Sequence, residues 1–240
     1  MNIKNIILRD FIYPLKIRVR SLFLERIPPH EYVALFTIQN LNQYLKISPN
    51  KLRRCSIIGT KYGFEIDPIL DRYPEIIVDA FECSPRWIHH LQIFKNNPRV
   101  NVIPKAVSSV SGSTTFFETN LEGNGSLLKI GNLHKEWYDS RQTDEFIVET
   151  ITLDEYYKNS SVDLLWIDVQ GAEKLVLLGA TEVLKNVKAV FIEVTSQSDF
   201  YDGSATFHEI SKLLEQSGFS LALLGMDFNL TGNALFLHQN

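Results

Sequence analysis

Asp168 closes the run Val162–Ile167, in which Asp163 is the one charge, and Gly171-Ala172-Glu173 follows at once. A helical pattern begins there, through Ala172, Leu175, Val176 and Gly179. A strand apolar at nearly every position is buried on both faces, as in a parallel sheet covered by helices. Ligands of such sheets bind beyond the carboxyl ends of the strands, which places Asp168 against a substrate or cofactor. The bland alternative is that its oxygen caps the next helix. Gly59-Thr60-Lys61-Tyr62-Gly63 also follows a strand-like run and precedes a helical one. Glycine there lets the backbone come close to a ligand. Glu82 ends the next strand, 23 residues after Gly59. An acid at that distance from a glycine turn is placed to grip ribose hydroxyls. Turn and acid together point to a nucleoside-containing cofactor. The full GxGxxG fingerprint and any P-loop are missing, which disfavours NAD and ATP.

Groups that could move a proton lie at the other strand ends and on covering loops. Asp168 is the first candidate. Glu193, near the end of the strand Lys188–Val194, is the second, with a salt-bridged strand residue as the plain reading. His134 sits beside Trp137 and Tyr138 in the long loop expected over 120–145, and a plain surface histidine is the competing reading. No CxxC or clustered histidine accompanies Cys55 and Cys83, and no second ligand stands at an evident spacing from Asp168. No metal site is therefore expected.

Positioning these groups falls to a strand–helix rhythm. Strands are expected over 54–58, 75–81, 100–103, 114–118, 146–151, 162–167, 188–194, 219–224 and 234–238. Helices are expected over 31–47, 64–72, 85–95 and 206–217, the third begun by the Ser84-Pro85 pair. Alternation of this kind predicts a doubly wound, mostly parallel sheet. The last two strands lie too close for a helical crossover and should form an antiparallel hairpin. Residues 1–50 read as a helical N-terminal extension and 51–240 as the ligand-binding domain. Within the extension, residues 1–29 are basic and apolar, which suits either weak contact with an anionic membrane surface or a helix packed on the domain edge.

The chain has 240 residues, 45% of them hydrophobic and 22% charged, with net charge -4. That is ample for one α/β domain and gives no electrostatic reason to expect nucleic acid. No apolar run approaches the ~20 residues needed to cross a bilayer. The early charges Lys4, Arg9 and Asp10 break up any signal-peptide core, so a cytoplasmic protein with reduced thiols is expected.

Four segments, IIGTKYG at 57–63, VDAFECSP at 78–85, ITLDEYY at 151–157 and above all VDLLWIDVQGAEKLVLLGA at 162–180, give the chain a resemblance. It resembles the class I S-adenosylmethionine-dependent methyltransferases, with their Rossmann-like seven-stranded sheet, and more narrowly the FkbM methyltransferase family. The weaker pieces VNVIPKAVSSVSGSTTFF at 100–117 and NALFLH at 233–238 fall in the right order. The resemblance implies S-adenosyl-L-methionine as cofactor, with Gly59, Thr60, Tyr62 and Gly63 forming the turn against its methionine part. It implies Glu82 on the ribose hydroxyls with Cys83 beside it, and Lys105 and Ala106 next to adenine. Ser126, in the small polar stretch Asn124-Gly125-Ser126, would lie near the cofactor, and Asp168 would face the methionine moiety or the acceptor. Three positions depart from the family pattern. Ile57 stands for an Asp, Thr60-Lys61 for Ala-Asn, and Gln170 for a Glu.

The resemblance further implies O-methylation of a sugar, glycan or natural-product hydroxyl. Trp87, Trp137, Tyr138, Phe200 and Tyr201 could stack on sugar rings or fill core. Two rivals stay open: a catalytically degenerate binding protein on the same scaffold, and an NAD-dependent oxidoreductase.

Overall fold

The computed structural model describes residues 29–227 and 230–239. The basic stretch 1–29, with its expected membrane contact, lies outside them except for Pro29. Helix α1 (Pro29–Tyr44) leads to a 3-10 turn at Pro49–Lys51 and then to β1 (Arg54–Ile58), α2 (Ile66–Arg72) and β2 (Ile77–Phe81). After a 3-10 helix at Ile88–Phe94 come β3 (Val100–Ile103), β4 (Ala106–Val107), β5 (Gly112–Thr119), α3 (Asn132–Tyr138) and β6 (Gln142–Ile151). Next follow α4 (Leu153–Tyr156), β7 (Leu164–Ile167), α5 (Glu173–Leu178) and β8 (Ala189–Thr195). The described chain ends in α6 (Phe207–Gln216), β9 (Phe219–Met226) and β10 (Thr231–His238).

Seven strands form one sheet in the order β3-β2-β1-β7-β8-β10-β9. The first five run parallel, and β10 inserts antiparallel between β8 and β9. This is the doubly wound sheet with a C-terminal antiparallel hairpin that the residue pattern predicts. Side-chain alternation explains why the central strands are apolar throughout. Leu164 and Trp166 point into the core beneath α1 and α2, where Trp166 stacks on Phe191 with centroids 3.8 Å apart. Leu165 and Ile167 point into the opposite core, shared with Val176, Ile210 and Leu214 of α5 and α6. Ile57 belongs to the first core, so its apolar side chain continues that packed face.

Two acids inside the sheet serve structure. Asp163 accepts from the Arg53 and Arg54 amides at 2.7 and 3.1 Å and pairs with Lys188. It thereby ties the start of β7 to its neighbours on both sides. Asp79, fully buried in β2, accepts from Tyr157 Oη at 2.7 Å, Asn101 Nδ2 at 2.7 Å and Arg54 at 3.2 Å. A buried charge is tolerable when paired and hydrogen-bonded in this way.

Two expectations need correction. The strands expected over 114–118 and 146–151 do not join the main sheet. They pair antiparallel with each other and, through β6, with β4 in a separate sheet of three strands. The stretch 120–145 is not one long loop, because it contains α3 and the start of β6.

Candidate active site

Register sets the site. Ile58 of β1 pairs with Phe81 of β2 and with Ile167 of β7, and Ile167 pairs with Ile192 of β8. The next residue on each strand is therefore Gly59, Glu82, Asp168 and Glu193, four groups in one row at the carboxyl edge. A cleft of about 190 Å³ opens at the first three. Glu82, Asp168, Tyr62, Lys105 and Ala106 line it, with Phe81, Val107 and Leu127 as apolar wall.

The turn after β1 is shaped by close backbone contact. Gly59 has φ +86°, and a Cβ there would lie 1.7 Å from the Asp168 carbonyl oxygen. Thr60 is buried and spends its hydroxyl on the carbonyls of Phe81 (3.0 Å) and Ile57 (3.3 Å), so it holds the turn to β2. Gly63 is buried and packs against Ile66, Leu91 and Phe94.

Glu82 is aimed by two amides. Its Oε2 accepts from Lys61 N and its Oε1 from Ser84 N, both at 2.7 Å. Burial raises its carboxyl above the usual range, and these amides oppose the rise. Two oxygens offer about four lone-pair sites, so two remain for hydroxyls of a bound molecule. Cys83 also lines the cleft, its thiol pushed well up by burial and by the Glu82 charge. Lys105 pairs with Glu149 at 2.9 Å at the rim. Glu118 of β5, which sequence reasoning missed, sits buried beside this end and bonds the Ser84 hydroxyl. Only the folding of the second sheet onto the first brings it there.

A flap covers the cleft from 120 to 126. Tyr62 Oη bonds Glu122, and Lys61 Nζ lies 3.6 Å from the same carboxylate. Tyr62 is backed by Trp87 and His90, with centroids 5.4 and 4.7 Å away. Gly125 and Leu127 line the cleft, whereas Ser126 between them is buried and turned away. Its hydroxyl meets the Val169 carbonyl at 3.4 Å and anchors the flap.

Asp168 and Glu193 are joined by Gln170, whose Nε2 donates to both, at 2.7 and 2.8 Å. Gln170 Oε1 accepts from Tyr201 Oη at 3.2 Å. Burial, then the charges of Asp168 and Glu173, push the Glu193 carboxyl well above the carboxylate range. Glu173 accepts from the amides of Val169 and Gly171, and burial pushes it up to about 7. His134 is not a surface residue. It is buried in α3 with Tyr138, Phe200 and Tyr201, its Nε2 3.0 Å from Asn124 Nδ2 and 3.3 Å from Tyr201 Oη. Burial lowers its pKa. It does not line the cleft and reaches Gln170 only through Tyr201. Phe200 and Tyr201 are themselves buried packing groups.

Residues 48–221 match the family model described as the methyltransferase FkbM domain. The chain belongs to the FkbM methyltransferase family. As a member it is an S-adenosylmethionine-dependent methyltransferase. The 2-O-methyltransferase NoeI of Sinorhizobium fredii is similar to it, 28% identical over 168 residues, covering 65% of this chain and 69% of that one. Fibrillarin of Aeropyrum pernix, solved with bound S-adenosylmethionine, superposes with a TM-score of 0.49 at 12% identity, over 86% of this chain and 74% of that one. An S-adenosylmethionine-dependent methyltransferase of Aquifex aeolicus gives 0.46 at 11% identity, over 85% and 91%. The FkbM match spans the whole row from Gly59 to Glu193. Among the described residues no cluster of His, Cys, Asp and Glu fits a metal ion, and no helix is long and apolar enough to cross a membrane.

Proposed function

We propose that this FkbM methyltransferase is a cytoplasmic enzyme that methylates a hydroxyl oxygen of a sugar, glycan or natural product. The observation that carries the reading is the register-aligned row of Gly59, Glu82, Asp168 and Glu193 at one edge of the cleft. The name of the relative NoeI supports oxygen as the methylated atom.

The cleft suits the cofactor. Glu82 keeps free lone pairs for a ribose diol, Gly59 removes the side chain that would fill the turn, and Phe81, Val107 and Leu127 present an apolar wall to a base. When bound, S-adenosylmethionine supplies a methyl group on a positively charged sulfur, open to in-line attack. The protein's part is to align an acceptor oxygen and take its proton. Asp168 does both: Gln170 fixes one of its oxygens, leaving the other to accept from the incoming hydroxyl. Glu193, held toward its neutral form, keeps a second negative charge away from that step. His134 and Tyr201 act at a distance by orienting Gln170.

Calorimetric titration with S-adenosylmethionine and S-adenosylhomocysteine tests the reading, with Glu82→Ala alongside. Saturable binding lost in the variant, followed by methyl transfer to a panel of sugars, is the expected result. Absence of binding at millimolar ligand would overturn it in favour of a binding scaffold.

A further inference from the structure

One acid of the cleft has no role in that scheme. Glu65 lines the cleft together with Asp168 and directly precedes α2. It occupies the N-cap position, yet its side chain makes no capping hydrogen bond. Its Oε2 is buried and has no hydrogen-bond partner among the described residues. The contrast with its neighbours is sharp, since Glu82 and Glu173 each accept two backbone amides. Burial, and behind it the charge of Asp168, push the Glu65 carboxyl up to about 7, against the pull of its own amide and of Lys61. A buried acceptor without a donor, on a residue that lines a cleft, calls for one from a ligand. Because the neighbouring charge is another carboxylate, a positively charged donor relieves both groups.

We propose that Glu65, beside Asp168, seats the α-ammonium group of the cofactor's methionine half. The assignment rests on S-adenosylmethionine as the bound cofactor and adds the group that grips its amino-acid end. The parts of that molecule sort themselves by chemistry. Its ribose diol is neutral and suits Glu82, which is already satisfied by two amides. Its base suits the apolar wall. The ammonium alone combines positive charge with N–H donors, and only the Glu65–Asp168 end of the cleft leaves a carboxylate oxygen unmet. Ile57, two residues before Gly59, is packed in the core and offers no charge to the turn. Glu65 brings a carboxylate to it from the other side. Seating a cation there lowers the affinity of Glu65 for its proton, so binding near pH 7 releases that proton.

The test compares two ligands on the full-length protein. S-adenosylhomocysteine carries the amino acid but no sulfonium charge, and 5′-methylthioadenosine carries the same nucleoside and sulfur without the amino acid. Glu65→Gln keeps the shape and removes the charge. It should weaken S-adenosylhomocysteine about tenfold or more, the usual cost of losing a charged hydrogen bond. Affinity for 5′-methylthioadenosine should be unchanged, which also certifies a folded cleft. Titrations at pH 7 in buffers of different ionisation enthalpy should show proton release in the wild type and none in the variant. Equal losses for both ligands, or none for either, would overturn the assignment while leaving the cofactor reading intact. A wild type that binds neither ligand would overturn the cofactor reading, and this assignment with it.

Discussion

Gly59 and Asp168 meet so closely that the α-carbon of one leaves no room beside the carbonyl oxygen of the other: a Cβ on Gly59 would lie 1.7 Å from that oxygen. The contact joins the ends of β1 and β7, so the backbone that carries Asp168 is positioned by the absence of a side chain on its neighbour. At φ +86° any other residue is also strained. Gly59→Ala therefore separates the two strand ends or fails to fold. The expected cost is about 3 kcal/mol or more, which for a chain of this size lowers Tm by roughly 6–12 °C. Calorimetric unfolding checks it, and an unchanged Tm would mean the strands are not held this close.

Glu173 is one of the buried acids that make stability depend on pH. Burial raises its folded pKa to about 7, above the ordinary carboxylate value of 4.5, and the charge of Asp168 adds to the rise. The folded state therefore binds the proton more tightly than the unfolded one. Its contribution to stability is complete below pH 4.5 and is lost as pH climbs toward 7. The loss amounts to as much as about 3 kcal/mol. Glu173→Gln keeps an oxygen for the amides of Val169 and Gly171 and removes the titration. The variant should match the wild type near pH 5, exceed it in Tm at pH 8, and show a flatter profile between.

Gln170 marks a limit of what residue types alone convey. The strand ends Asp168 and Glu193 were legible, because apolar runs that stop at an acid identify the carboxyl edge of a buried sheet. Glu82 was legible from its distance to the glycine turn. What Gln170 does was not, since its amide bridges acids that lie on separate strands and only their register brings them together. Tyr201 and His134 were visible as residue types, but their place under the flap depends on α3, hidden in what reads as loop. The second sheet was lost for a related reason. Its strands have polar, exposed positions, as in β6, and their neighbours are not deducible from alternation. Glu65 was overlooked because it falls within the helix expected over 64–72, where an acid in the first turn is ordinary, and only its unpaired oxygen beside the cleft sets it apart.

Gln170→Glu should be harmful in this chain. The amide donates to Asp168 and Glu193 at once, whereas an ionised carboxylate donates to neither and sets a further negative charge beside Asp168. The variant is expected to lose about 2 kcal/mol or more at pH 8 and to regain part of it at pH 6, where a shared proton can replace the amide hydrogens. Unfolding by urea at the two pH values measures this. A variant as stable as wild type at pH 8 would mean that the two acids do not depend on the amide.

Tyr157 supports Asp79 from outside the sheet. Its hydroxyl lies 2.7 Å from the buried carboxylate, and burial with that charge raises the tyrosine pKa far above its ordinary value. Tyr157→Phe removes that donor, while Asn101 and Arg54 still contact Asp79. Loss of a donor to a buried charge costs about 1–3 kcal/mol, or roughly 2–12 °C in Tm. Cofactor affinity should not change, because Asp79 sits at mid-strand, three residues before Glu82.

Glu122 ties the flap to the glycine turn through Tyr62 and Lys61. Lys61 and Glu122 are both partly exposed, so the pair adds under about 1 kcal/mol to global stability. Its effect belongs to the flap. Gly123 packs directly on the Lys61 side chain, where a Cβ would come within 2.6 Å of Nζ. Release of Glu122 therefore frees both the aromatic and the cationic arm of the turn. Glu122→Ala should leave Tm within about 3 °C of wild type while speeding dissociation of S-adenosylhomocysteine several-fold, as read by stopped-flow displacement. Slower association with unchanged dissociation would instead assign Glu122 to steering the ligand in. The measurement thus separates a latch from an electrostatic guide.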